Sequence, residues 1–364
     1  MSERLPSPLA DAVDSRARLR PPLTHVPLSD APLPSLDGMT GPWPGAEVRV
    51  CGGVDGTDVA GSRYDGVLHV RHTPGPGSVR EQPGRHPAGG ARTAVYVHGL
   101  GGSSTNFSDL AGLLSPWAEG HAPDLPGFGF SPPTEGFDFS LRAQADVLAD
   151  YLTGHCRGPV DLVGNSMGGA VAMMLAAHRP ELVRTLTLVS PAVPDRRPDP
   201  RRLADPRLPL AYLPLVGRRV RRRLAAMSPR QRAEQVLRLC FADPTLFPEH
   251  RLAELIDEHG ARASLTWAEE ALGRSTTEIF RAWFTPGRGS LWALAPRITV
   301  PTLVVWGMRD RVISVRRAPR TARTLPRARL LVLPRTGHLA QMERPTTVAR
   351  AVLGLWDRAD EGNW

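Results

Sequence analysis

The chain has 364 residues, 41% hydrophobic and 22% charged, enough for one large α/β domain with an insertion or for two domains around a packed core. Its formal net charge is +9, yet all 45 basic residues are arginine, beside 37 prolines and 35 glycines. That bias reads as the mark of a GC-rich coding sequence, and without a recognised nucleic-acid motif it excludes nucleic acid as the expected partner.

Residues 1–45 are rich in Pro, Ser, Leu and Arg without periodicity, and are expected to form a disordered tail. Strand-like stretches follow at Ala46–Cys51 and Val67–His72, then a Gly/Pro-rich surface loop at 74–90. From there strands alternate with helices. Strands are predicted at Thr93–His98, His121–Asp124, Val160–Gly164, Thr185–Ser190, Thr302–Gly307 and Leu330–Leu333. Helices are predicted at Asn106–Trp117, from an N-cap at Ser140 to His155, at Met167–His178, at Val315–Thr324 and near Thr346–Trp356. Such alternation implies a mostly parallel sheet with helices on both faces.

The stretch from Asp195 to Ile298 lacks a strand pattern and is punctuated by prolines. It reads as an inserted helical cap over the carboxyl ends of the strands. The expected organisation is a tail at 1–45, core at 46–194, cap at 195–298, core at 299–357 and a second tail at 358–364. Cys51, Cys156 and Cys240 are scattered without metal or redox spacing, and read as free thiols in a reducing compartment. No signal-peptide core and no membrane-spanning apolar run is evident, so a cytoplasmic protein is expected.

Chemistry concentrates at Gly164-Asn165-Ser166-Met167-Gly168, a G-x-S-x-G pentapeptide between a β-prone run and a helix-forming run. In that setting the serine sits on a sharp strand-to-helix turn with its hydroxyl exposed, the flanking Gly164 and Gly168 removing Cβ clashes. Ser166 is the candidate nucleophile. It needs a base, and the base an acid, in the chain order Ser…Asp/Glu…His. Asp310 and His338 each follow a predicted core strand, on the side of the sheet where the serine emerges. Asp195 is a rival acid, disfavoured because it lies several residues beyond its strand. His98-Gly99-Leu100-Gly101-Gly102 offers an oxyanion hole, with donors assigned to the backbone N–H groups of Leu100 and Met167; His98 and Gly99 read as structural parts of that loop.

These landmarks give the chain from about Ala46 to Trp356 a resemblance to the α/β-hydrolase fold. They are HGLGG (98–102), DLPGFG (124–129), GNSMGG (164–169), WGMRD (306–310) and GHLAQMERP (337–345). The resemblance implies an eight-stranded mostly parallel sheet, a triad of Ser166, Asp310 and His338, and neither cofactor nor metal. A serine at the elbow argues against the epoxide hydrolases and haloalkane dehalogenases of the superfamily. The expected activity is hydrolysis of a carboxylic ester with an apolar acyl part, carboxylesterase- or lipase-like.

GNSMGG and AQMERP are also similar to the carbon–carbon hydrolases that cleave ring-opened aromatic dienones. Two departures, Gly102-Ser103 in the oxyanion loop and Leu339 after the histidine, keep that reading second, and Arg251 is the nearest cap arginine in type for its substrate carboxylate. A non-catalytic binding protein on the same fold is a further alternative, weakened by the three intact triad positions. In the cap, Arg218–Arg223 read as a solvated helix face, with docking of an acidic carrier protein or anionic lipid as the sharper reading. Leu210, Tyr212, Leu213, Leu215 and Val216, or Trp267, Phe280, Trp283 and Phe284, could line an apolar pocket or form ordinary cap core.

Overall fold

A computed structural model describes residues 25–37, 39, 41–52, 64–76, 92–195 and 226–364. The arginine cluster at 218–223, the apolar group at 210–216 and most of the 74–90 loop lie outside the described residues.

Eight strands form one sheet in the order β1-β2-β4-β3-β5-β6-β7-β8. They are β1 Gly45–Cys51, β2 Asp65–Thr73, β3 Arg92–Val97, β4 Ala118–Pro123, β5 Val160–Asn165, β6 Val183–Val189, β7 Thr302–Gly307 and β8 Ala328–Leu333. β2 pairs antiparallel with both neighbours, and the pairings from β4 to β8 are parallel. β3, β5 and β7 are buried along their whole length, as continuous apolar runs covered on both faces must be. The chain leaves β3 first toward β4 and then returns past it to β5. The crevice at the carboxyl ends of β3 and β5 is therefore the switch point of the sheet, the place where this topology binds ligands.

Two stacks of helices cover the faces. α1 (Ser108–Leu114) and α10 (Pro345–Asp360) pack on one side, against Tyr96, Val163 and Val305. α2 (Leu141–His155), α3 (Met167–His178) and α8 (Ala318–Thr324) pack on the other, with Leu162, Leu186 and Trp306. The Ser140 hydroxyl accepts from Ala143 N–H at 3.0 Å, as expected of an N-cap. α1 is shorter than its predicted span. A 3₁₀ turn at Ser104–Phe107 precedes it, and Ala118-Glu119-Gly120 join β4.

Between β6 and β7 lie α4 (Pro229–Cys240), α5 (Glu249–Arg262), α6 (Ala268–Phe284) and the short α7 (Leu291–Leu294); α9 (Ala340–Glu343) follows β8. Pro229 and the Ser228/Gln231 capping box start α4. The cap helices bind loops at the carboxyl ends of the strands. Glu258 Oε2 accepts from Thr105 Oγ1 at 2.6 Å, and Trp283 Nε1 donates to Ala192 O at 2.9 Å. Trp283 is thus cap core, while Phe280 and Phe284 face outward.

The disordered tail expected at 1–45 is corrected from residue 25 onward. Ser29 N–H donates to Arg350 O at 2.9 Å, Arg350 Nη1 returns a bond to Ser29 O at 2.8 Å, and Trp43 Nε1 donates to Ser108 O at 2.8 Å. Val26, Ala31, Leu33 and Leu36 lie on the α1/α10 side of the core. Low periodicity hid this because an extended segment packs through scattered apolar side chains and needs no repeat. The tail expected at 358–364 is corrected too: α10 continues to Asp360, whose carboxylate accepts from Arg92 Nη2 at 2.5 Å, and Trp364 Nε1 donates to Thr302 O and Arg327 O.

Removal of residues 1–37 is accordingly expected to lower the melting temperature by several degrees. The four apolar side chains are partly buried, each worth roughly 1 kcal/mol. Differential scanning calorimetry of the truncated and full chains checks this, and equal midpoints would show that the segment contributes nothing.

Candidate active site

Ser166 lies between β5 and α3 with φ 52° and ψ −116°, a left-handed backbone that costs a non-glycine residue about 1–3 kcal/mol. Three backbone bonds hold it there. Its N–H donates to Val189 O at 3.0 Å, and its carbonyl accepts from Ala170 N at 3.1 Å and Ala192 N at 2.8 Å. The turn is as tight as its glycines suggested. A Cβ on Gly168 would collide with the carbonyls of Val97 and His98, and one on Gly164 with the backbone of Gly168. Close approach of α3 to the ends of β3 and β5 therefore requires both.

Asp310 and His338 meet. His338 Nδ1 and Asp310 Oδ2 are 2.8 Å apart, both side chains being buried. The other carboxylate oxygen of Asp310 accepts from Val312 N at 2.8 Å and Ile313 N at 2.9 Å, which fixes its orientation. Pairing of the two loops brings them together: Met308 N donates to Leu333 O and Arg309 N to Thr336 O, both at 2.9 Å. A carboxylate on Nδ1 holds the proton there and leaves the Nε2 lone pair for a donor. The Asp195 carboxylate instead pairs with Arg317.

The loop after β3 is a tight turn. Gly102 N donates to Gly99 O at 3.1 Å, closing a turn in which Gly101 has φ 73° and the Leu100 N–H has no hydrogen-bond acceptor among the described residues. The Met167 N–H opens α3, where first-turn amides lack helical partners. Gly99 lies against the elbow, so close that a Cβ there would sit 3.1 Å from the Ser166 Cβ. His98 is a brace. Its Nε2 accepts from Leu125 N at 3.0 Å and its Nδ1 donates to Gly99 O at 2.8 Å. Burial holds this imidazole below its ordinary pKa, consistent with that neutral tautomer. Asp124 anchors its own loop, accepting from Ser104 N at 2.6 Å and Phe130 N at 3.0 Å beside His69. Burial, which would raise its pKa, is outweighed by the His69 bond and the other donors, and the carboxyl stays below its usual value.

Three supporting residues escaped the reading of the sequence. Asn165 Nδ2 donates to Val189 O at 3.1 Å and to His338 O at 3.3 Å, tying the elbow to the histidine loop. Glu343 accepts from Gly337 N at 2.6 Å and from Ala242 N at 3.1 Å, joining that loop to the cap. Cys240 O accepts from His338 N at 2.6 Å. The spacing of Glu343 from His338 within GHLAQMERP was the available signal for one of them; the other two follow only from the packed geometry.

Arg251 does not stand open to a substrate. Its guanidinium donates to Asp109 Oδ1 at 2.6 and 2.9 Å and to Glu254 at 2.7 Å, and the residue is 5% exposed. Leu339 is buried with Leu237 and Phe241 in an apolar cluster beside His338, with Met342 packed against it.

Residues 95–345 match the family model described as the alpha/beta hydrolase fold. Among curated proteins, the chain is 29% identical over 259 residues to the dihydrolipoyllysine-residue acetyltransferase component of the acetoin cleaving system of Cupriavidus necator, covering 70% of this chain but only 61% of that protein. It is 26% identical over 288 residues to the monoacylglycerol lipase ABHD6 of Bos taurus, covering 76% of this chain and 77% of the lipase. Among solved structures, a bacterial membrane phospholipase A superposes with a TM-score of 0.65 at 22% identity, over 97% of this chain and 92% of that one, a likeness of fold. With the family model spanning well over half its length, and the sheet order and serine elbow in place, the chain belongs to the α/β-hydrolase fold family.

Proposed function

We propose that the protein is a serine hydrolase that cleaves a carboxylic ester with an apolar acyl part. The observation that carries this reading is the 2.8 Å Asp310–His338 pair, tied through Asn165 to the strained Ser166 elbow. In the proposed cycle Ser166 Oγ attacks the ester carbonyl carbon as its proton passes to His338 Nε2. The oxyanion forms against the N–H groups of Leu100 and Met167. His338 then gives the proton to the departing alkoxide, leaving an acyl-enzyme. Water, deprotonated by the same nitrogen, releases the acid and frees Ser166. Asp310 keeps the imidazole in the Nδ1–H tautomer and stabilises its charged form.

The likeness to a monoacylglycerol lipase and the apolar cluster at Leu339 support an apolar acyl group. A carbon–carbon hydrolase of a dienone needs a cation for the substrate carboxylate, usually a bidentate arginine. Arg251, the cap residue nearest to that role in type, is engaged by Asp109 and Glu254. Labelling of the wild-type protein, but not of Ser166→Ala, by a fluorophosphonate probe tests enzyme against binding protein.

Ser166→Ala is expected to fold normally and to lose on the order of 10⁶ in kcat. Retention of more than a few per cent of ester turnover in a clean preparation would remove Ser166 from the reaction. Asp310→Asn should cost about 10⁴ in kcat with KM little changed, by mis-setting the histidine tautomer. Asp195→Asn acts differently: it weakens a buried pair with Arg317 and should lower the melting temperature while leaving kcat nearly intact. A crippled kcat in Asp195→Asn would reverse the assignment of the acid.

Substrate class is read by steady-state kinetics on one enzyme batch. Medium-chain aryl esters are expected to exceed any ring-cleavage dienone in kcat/KM. A dienone ahead of the best ester in a p-nitrophenyl series of rising chain length would make carbon–carbon cleavage the better reading.

A further inference from the structure

We propose that His72, Glu119 and His121 form a zinc(II) site at the end of the sheet opposite the catalytic rim. The three come together only through the fold. His72 is the penultimate residue of β2 and faces His121 of β4 in register; Glu119 lies two residues before His121 and so on the same face. β2 runs against the rest of the sheet. Its end therefore meets the start of β4, whereas Ser166, Asp310 and His338 follow the carboxyl ends of β5, β7 and β8.

The candidate ligand atoms lie within 4.8 Å of one another, and the two imidazole rings are 4.6 Å apart and edge-on. Two neutral imidazole nitrogens and one carboxylate, with a fourth position open, are a donor set that suits Zn²⁺. The donors differ in exposure. The His121 side chain is 8% exposed and that of Glu119 50%, so the site has a buried anchor and a solvent-facing entry.

His121 supplies the second observation. Its Nε2 is buried and faces Glu119 Oε1 at 3.2 Å without reaching good hydrogen-bond geometry. A buried ring nitrogen so poorly satisfied is costly unless something else takes its lone pair. Its other nitrogen is already committed: Nδ1 is 2.8 Å from the Tyr151 hydroxyl, whose ring stacks on His155. With Nδ1–H donating to Tyr151, the Nε2 lone pair faces His72 and Glu119, the arrangement that outer partners impose on a metal-binding histidine. A cation bound here would join the reversed strand β2 to β4.

The test uses untagged full-length protein, stripped with a chelator and titrated with zinc chloride in a calorimeter. One Zn²⁺ per chain is expected, with a rise in melting temperature. Glu119→Gln and His72→Gln should each weaken binding by about tenfold or more, and Tyr151→Phe by a similar factor through the lost outer partner. The half-exposed Glu119 keeps the test independent of folding, and the metal-free melting temperature of Glu119→Gln should equal that of the parent. Co²⁺ in place of Zn²⁺ should give the visible absorption of a low-coordinate ion, lost in His72→Gln. His338→Ala should bind Zn²⁺ as the parent does. The proposal is overturned by the absence of stoichiometric binding, by binding that Glu119→Gln and His72→Gln leave unchanged, or by binding that disappears in His338→Ala, which would put the ion at the catalytic rim.

Discussion

The arrangement of the candidate catalytic rim depends on one close approach, that of the first turn of α3 to the ends of β3 and β5. Gly168 stands where any side chain would strike the carbonyls of Val97 and His98, and Gly164 where it would strike Gly168. That contact sets the Met167 amide beside the loop that carries Leu100. It also forces the left-handed backbone at Ser166, whose strain is balanced by bonds to Val189 and Ala192 at the end of β6. The serine is thus fixed by backbone from three strands, all in the buried middle of the sheet. None of those bonds comes from the cap.

The histidine is held in another way. Its N–H bonds to Cys240 O at the end of α4, and Glu343 bridges Gly337 on the histidine loop and Ala242 on the cap. Serine and histidine therefore answer to different parts of the structure, the first to the sheet and the second partly to the inserted helices. The backbone bond to Cys240 ties α4 to the histidine and not to the serine. Asn165 spans the two systems with a single side chain, donating to β6 and to the histidine loop at once.

Much of this was legible in the sequence, because parallel strands are buried on both faces and read as unbroken apolar runs. The motifs that carry the rim are also local: the Ser166 elbow, the His98–Gly102 turn and the positions of Asp310 and His338 just past their strands each announce themselves within a few residues. The choice between Asp310 and Asp195 rested on distance from the strand, and a further physical reason is now visible. A buried carboxylate already matched to Arg317 has little charge left for an imidazolium, whereas Asp310 meets two backbone amides and His338. What stayed hidden was non-local. The segment at 25–37 docks by scattered apolar side chains and backbone bonds to Arg350, which no periodicity records. Glu119 fell between the helix predicted to end at Trp117 and the strand predicted from His121, since Ala118-Glu119-Gly120 has no strand signature of its own and is recruited to β4 by pairing with β3.

The two ends of the sheet differ for the same reason. At the carboxyl ends of parallel strands, every loop opens on one rim, and residues distant in sequence converge without any one pairing register having to place them. At the opposite end, which groups meet depends on the antiparallel register of β2 against β4. A slip of one residue would turn His72 to the other face and away from His121, while leaving the Ser166 rim untouched. The pairing of these histidines is therefore a statement about register, and register here is fixed by the burial of Leu68 and Val70, which share a face of β2 with His72. Core packing along that face of the strand thereby determines which polar groups meet at its end.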